Sequence, residues 1–156
     1  MSEKNIWNGN PSQWIGLPVH LFWLFLPLLL LFLLSTDYLS IPFIWLGIGL
    51  FKSIWEYLQI KFHKIEITNQ RMIEEVGVLS KTTHELELFR VKDISLYQPF
   101  ILRLVGLSHI HLLTSDKTSP SVIIPGISGG KELKEKLRTI VDKERTRKNV
   151  VERDFE

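Results

Sequence analysis

Residues 83–106, THELELFRVKDISLYQPFILRLVG, carry three textures in a row, and their order decides the fold. In THELELFR, Leu86 and Leu88 alternate with Glu85 and Glu87, the period of two that marks a strand with one face buried and one in water. VKDISLYQ repeats the pattern with Ile94 and Leu96. Pro99 then opens and Gly106 closes an apolar run, proline suiting a first helical turn and glycine a helix end. A run this short cannot cross a hydrocarbon core about 30 Å thick, so PFILRLVG is expected to be one helical turn between strands. Phe100, Ile101, Leu104 and Val105 fall on one face, expected to complete the core. Leu102 and Arg103 are expected to point toward lipid or a neighbouring subunit, and with Phe100 they form the candidate contact surface.

Strand texture continues on both sides. FHKIEIT offers Phe62, Ile65 and Ile67 as apolar positions of a first strand, NQ makes a turn, and RMIEEVGVLS follows. Downstream, SHIHLLTS brings Ile110 and Leu112, and SVIIPGI is a last short strand broken by Pro125. Six or so short strands with polar turns predict a small antiparallel roll or barrel. In GGKELKEKLRTIVDKER, Leu133, Leu137, Ile140 and Val141 make one apolar stripe at helical spacing, so a C-terminal helix is expected to cap the roll. Residues 145–156 mix charges without period and are expected to be frayed.

The N-terminal part is of another kind. Residues 14–34, WIGLPVHLFWLFLPLLLLFLL, contain no formal charge, and at about 1.5 Å per helical residue they are long enough to span a bilayer. Residues 41–60 form a second apolar run that turns amphipathic at Lys52 and Glu56. The first run lacks the basic n-region and small-residue cleavage site of a signal peptide, so both runs are expected to remain as a transmembrane hairpin. His20 near the start of the first run suits an interfacial anchor, and Gly47 and Gly49 leave room for close helix packing. Lys52, Lys61, Lys64 and Arg71 lie at or beyond the end of the second run, whereas the connecting loop holds Asp37 and no Lys or Arg. The positive-inside rule therefore puts both termini in the cytoplasm. The absence of cysteine fits a reducing compartment. The division expected is a cytoplasmic segment at 1–13, spans at 14–34 and 41–60, a β-domain at 61–144 and a tail at 145–156.

Strands in series capped by one helix describe a pleckstrin-homology (PH) roll. Leu88, Arg90, Val91, Ile94, Leu96 and Gln98 fit the pattern L-x-R-[IV]-x-x-[IV]-x-[VL]-x-Q, and Phe100, Leu104, Val105 and Gly106 fit the apolar run that closes it. IWNGNPSQW at residues 6–14 is similar to a W-x-G-x-P-S segment before the membrane. On these motifs the sequence resembles the bacterial PH-domain family of membrane proteins. The resemblance implies an α+β membrane protein, a helical hairpin followed by a PH-like roll with its C-terminal helix. It implies no particular ligand.

Function classes narrow in the same way. A multiply charged lipid headgroup needs several converging cations. The first β-hairpin offers Lys61, Lys64 and Arg71 against Glu66, Glu74 and Glu75, which leaves little net charge. Lys61, Lys64 and Arg103 are the headgroup candidates if the domain is a lipid sensor. A net charge of +2 from dispersed lysines argues against a nucleic-acid partner. HELEL at His84 lacks the second histidine of a zinc helix, His109 and His111 alone do not make a metal site, and SGGKE lacks the rest of a phosphate loop. With no nucleophile, base and orienter together, the expectation is no catalysis, no metal and no cofactor. The expected role is a membrane-anchored interaction or scaffold module on the cytoplasmic face of a bacterial membrane, working as a homo-oligomer or with a membrane-protein partner. The alternatives are the headgroup sensor and an accessory subunit of a transport complex.

Overall fold

The structure, a computed structural model, describes residues 3–33 and 40–149. The chain begins with a strand that the sequence did not reveal, β1 (Asn5–Gly9), followed by a 3-10 turn at Gln13–Gly16. The Ser12 side chain caps that turn by accepting from the Trp14 N–H. Two long helices follow, α1 (Leu17–Leu33) and α2 (Ser40–Phe62). Apart from Ser40, the connecting loop expected at 35–40, with Asp37, lies outside the described residues.

The helices pack antiparallel, since Gly16 near the start of α1 meets Ile60 near the end of α2 while Trp23 meets Trp45 and Gly49. The Trp23 and Trp45 rings stack with centroids 5.6 Å apart. A Cβ on Gly49 would sit 2.8 Å from the Trp23 carbonyl oxygen, so a missing side chain is what lets the backbones approach. Gly47 would meet nothing within 4 Å, and the packing expected of both glycines falls to Gly49 alone.

α2 continues through Phe62, which corrects the assignment of that residue to the first strand. Phe62 is exposed on the helix, and the alternation takes hold only from β2 (Lys64–Thr68). β3 (Arg71–Val76), β4 (Thr82–Glu87), β5 (Val91–Tyr97), β6 (Leu107–Thr114) and β7 (Ser121–Ser128) follow the expected order. All pairings are antiparallel, in one sheet ordered β1-β2-β3-β4 and another ordered β5-β6-β7. Leu88 is not in a strand but in a 3-10 turn, Leu88–Arg90, that carries the chain from one sheet to the other, and it is fully buried there. β3 stops at Val76, before the turn at Gly77, and leaves Leu79 exposed.

The core fills the space between the sheets and the last helix, α4 (Gly130–Arg147). Ile65, Ile67, Met72 and Leu86 come from the first sheet, Ile110, Leu112, Ile124 and Ile127 from the second, and Leu133, Leu137 and Val141 from α4. Ile94, Leu96 and Ile140 are half-buried at its margin, because β5 is an edge strand and only one row of α4 faces fully inward. α4 runs past residue 144, correcting the frayed start at 145. Glu144 extends the buried row and pairs with Arg147, and the Lys148 ammonium lies 5.6 Å from the Phe89 ring centroid. The result is an α+β fold of antiparallel sheets with a C-terminal helix.

Candidate interaction surfaces

A short helix, α3 (Phe100–Leu104), joins β5 to β6. The Arg103 N–H donates to the Pro99 carbonyl at 2.9 Å, and the Gln98 side chain donates to the Leu107 carbonyl at 3.3 Å, fixing both ends. Leu102 is the buried residue of this turn, at 7% exposure, whereas Phe100 and Leu104 are 76% and 72% exposed. The orientation is the reverse of the expectation: Leu102 holds the turn to the domain, and Phe100, Ile101, Arg103 and Leu104 face outward. Of the candidate contact residues, Phe100 and Arg103 are accessible and Leu102 is not.

The β-domain is tied to the helical pair by specific bonds. Ser12 donates its N–H to the Gly126 carbonyl at 2.9 Å, Asn10 Nδ2 donates to the Lys61 carbonyl at 3.0 Å and Gln13 Nε2 donates to the Tyr57 carbonyl at 3.3 Å. Gly126 has φ +55°, and a Cβ there would lie 2.4 Å from Ile15 Cγ2, so glycine meets a conformational and a steric demand at once. Between β1, the 3-10 turn and the end of α3 lies a cavity of about 430 Å³, lined by Trp7, Trp14, Val105 and Gly126 among others. None of its lining residues is Lys or Arg.

A second groove, of about 440 Å³, runs between edge strand β5 and α4. Lys92, Lys134, Arg138 and Arg145 line it together with Asp93 and Asp142, an excess of cationic groups. In sequence the α4 cations read as a solvated face, and only the packing of α4 against β5 brings them beside Lys92.

The headgroup candidates are dispersed. The Lys61 ammonium lies 5.8 Å from the Tyr57 ring centroid, and Lys64 stands opposite Glu75 in the β2–β3 register. Arg103 is on α3, which connects strands of the other sheet. Arg71 is engaged by Glu3 at 2.8 Å and Glu85 at 2.7 Å. Those bonds raise the Arg71 pKa further, and the Arg71 and Thr68 hydrogen bonds hold Glu3 below the usual carboxylate range.

The bacterial PH-domain family model matches residues 20–147. The chain belongs to the bacterial PH-domain family. A comparison with curated proteins found no match. In this PH domain the motif residues hold the fold together: Leu88 and Val91 are buried, Arg90 pairs with Glu87 at 3.0 Å and Asp116 at 3.4 Å, and Gln98 anchors β6. Thr118 donates from its N–H and hydroxyl to Asp116, which with Arg90 keeps that carboxyl below its ordinary pKa.

His109 and His111 alternate along β6 beside Tyr97, whose ring stacks on His109 at 6.3 Å and meets His111 edge-on at 6.0 Å. His109 Nδ1 accepts the Gly126 N–H at 3.1 Å, and burial together with the charge of His111 lowers its pKa. His109 thus bonds β6 to β7 near the junction with the helices, while Tyr97 joins both rings to β5. No group of three or more His, Asp or Glu able to hold a metal occurs among the described residues.

Proposed function

We propose that this protein is a membrane-anchored PH-domain interaction module at the cytoplasmic face of a bacterial membrane. The observation that carries this reading is the outer surface of the helical pair: Phe22, Phe25 and Phe32 on α1 and Phe43, Ile44 and Phe51 on α2 are all exposed. Water would penalise such a continuous apolar surface, and lipid would not. Within residues 13–33 an 18-residue window has a mean hydropathy of 2.2, and 21 residues at about 1.5 Å each reach about 31 Å, the thickness of a hydrocarbon core. α2 supports α1 as its partner, its charged second half reaching toward the cationic, cytoplasmic side. The neutral junction cavity and the dispersed Lys61, Lys64 and Arg103 favour protein contacts over a dedicated headgroup pocket. The groove between β5 and α4 is the surface best suited to such a contact, since edge strands recruit extended segments and its cations would select carboxylates.

The test is native mass measurement of the full chain in lipid nanodiscs, beside the Lys134→Glu, Arg138→Glu double variant. A stable assembly, with itself or a retained membrane protein, that the double variant loses is the expected result. A monomer that retains nothing in either form contradicts the reading.

A further inference from the structure

Strand register fixes which end of the β-domain faces the helical pair. In the first sheet Gly9 pairs with Ile65, Lys64 with Glu75 and Val76 with Thr82, so the turn after β3 lies at the end where α2 enters the sheet. In the second sheet Leu107 pairs with Ser128, close to Gly126, which is bonded to Ser12 at the entrance of α1. α3 therefore sits at that same end, and Val105, directly after it, shares a cavity with Trp14.

The rim so defined is unusually apolar. Leu79 in the β3–β4 turn is 89% exposed, beside Phe100 at 76%, Leu104 at 72% and Ile101 at 54% on α3. At the opposite end the turns at residues 69–70 and 115–120 read NQ and SDKTSP, and the third connection, Leu88–Arg90, buries Leu88 and leaves Phe89 only half-exposed. Lys61, Lys64, Lys81 and Arg103 accompany the apolar residues on the helix-side rim, all exposed, with Glu75 paired to Lys81 and standing opposite Lys64, so the rim keeps an excess of cations. Exposed aromatic and aliphatic side chains ringed by cations are the composition that the interface of an anionic bilayer accepts.

We propose that this rim is a lipid-contacting surface in its own right: α3 and Leu79 set their apolar side chains into the headgroup layer beside the helical pair. The domain is then held at two further points besides its anchor, and the groove between β5 and α4 is presented at a fixed tilt to the membrane. The inference rests on the membrane reading above and goes beyond it by assigning which part of the domain touches lipid.

Because the chain has no cysteine, single-cysteine variants can each carry one nitroxide label. Leu79→Cys, Phe100→Cys and Leu104→Cys are reconstituted as full chains in nanodiscs of phosphatidylcholine and phosphatidylglycerol. Leu28→Cys on α1 serves as the buried-in-lipid control and Lys117→Cys at the far end as the aqueous control. Power-saturation spectroscopy then compares access of oxygen, which partitions into lipid, with access of a water-soluble nickel chelate. The proposal expects the labels at 79, 100 and 104 to shift toward oxygen relative to Lys117→Cys, and less far than Leu28→Cys. If those three match Lys117→Cys while Leu28→Cys reads as lipid-exposed, the rim proposal is overturned and the anchor reading stands. If Leu28→Cys also reads as aqueous, both are overturned. Labels at 100 and 104 shielded from both reagents, with dipolar broadening between copies, would overturn lipid contact in favour of a contact between two protein copies.

Discussion

Replacing Gly126 with alanine should loosen the joint between the β-domain and the helical pair, and two separable costs set the size of the effect. The first is conformational: φ +55° is left-handed backbone, which costs a residue with a Cβ about 1–2 kcal/mol. The second is steric, because the new Cβ would fall 2.4 Å from Ile15 Cγ2, and forcing an extra carbon into a packed contact costs about 1–3 kcal/mol. Together they predict a loss of about 2–5 kcal/mol, which at ~2–4 °C per kcal/mol is readily seen in a thermal melt followed by near-ultraviolet circular dichroism. A double-mutant cycle with Ile15→Ala divides the two. Removing the Ile15 branch should abolish the steric part, so that Gly126→Ala costs only about 1–2 kcal/mol in that background. A neutral Gly126→Ala would refute the conformation assigned to residue 126. An equal cost in both backgrounds would refute the docking of the 3-10 turn against β7.

Three further outcomes follow from burial and titration. Leu102→Ala should destabilise the domain by about 2–3 kcal/mol and Leu104→Ala by no more than ~0.5 kcal/mol in denaturant titrations, since only the first side chain is buried; the reverse order would restore the orientation read from sequence. Leu88→Asp should cost about 3–5 kcal/mol by burying an unpaired charge, whereas Glu87→Lys, at an exposed pair with Arg90, should change stability by under ~1 kcal/mol; equal damage would mean the segment is out of register. His109 has a folded-state pKa below the ordinary 6.5, so between the two values the unfolded chain binds more protons. Its contribution is therefore complete above pH 6.5, falls as pH is lowered through 6.5 and levels off below the folded value, while His109→Gln should flatten that part of the stability-against-pH curve.

The sequence conveyed the β-domain well where alternation is strong. Ile65 and Ile67, Leu86, and Ile110 and Leu112 all lie in the core, each flanked on at least one side by a polar residue that turns away from it. It was silent on β1: NIWNG has no clean alternation, and the strand exists through bonds to β2 and the Lys4–Asn69 pairing, far apart in the chain. It misled over α3 because a five-residue helix barely exceeds one turn, so spacing names no face. The cationic groove was likewise invisible, being made by packing α4 onto β5, and Glu144 obscured the last turn of α4 by placing a carboxylate in an otherwise apolar row.

The central claim is that the helical pair crosses a membrane and leaves the PH domain in the cytoplasm, and thiol accessibility in intact cells tests it most directly. Asp37→Cys lies between the two apolar runs and Lys117→Cys lies in the exposed β6–β7 turn, each the sole cysteine of its variant. A membrane-impermeant maleimide should label Asp37→Cys from outside and Lys117→Cys only after the membrane is permeabilised. Labelling of Lys117→Cys in intact cells with Asp37→Cys protected would contradict the orientation, and protection of both until permeabilisation would contradict the crossing itself.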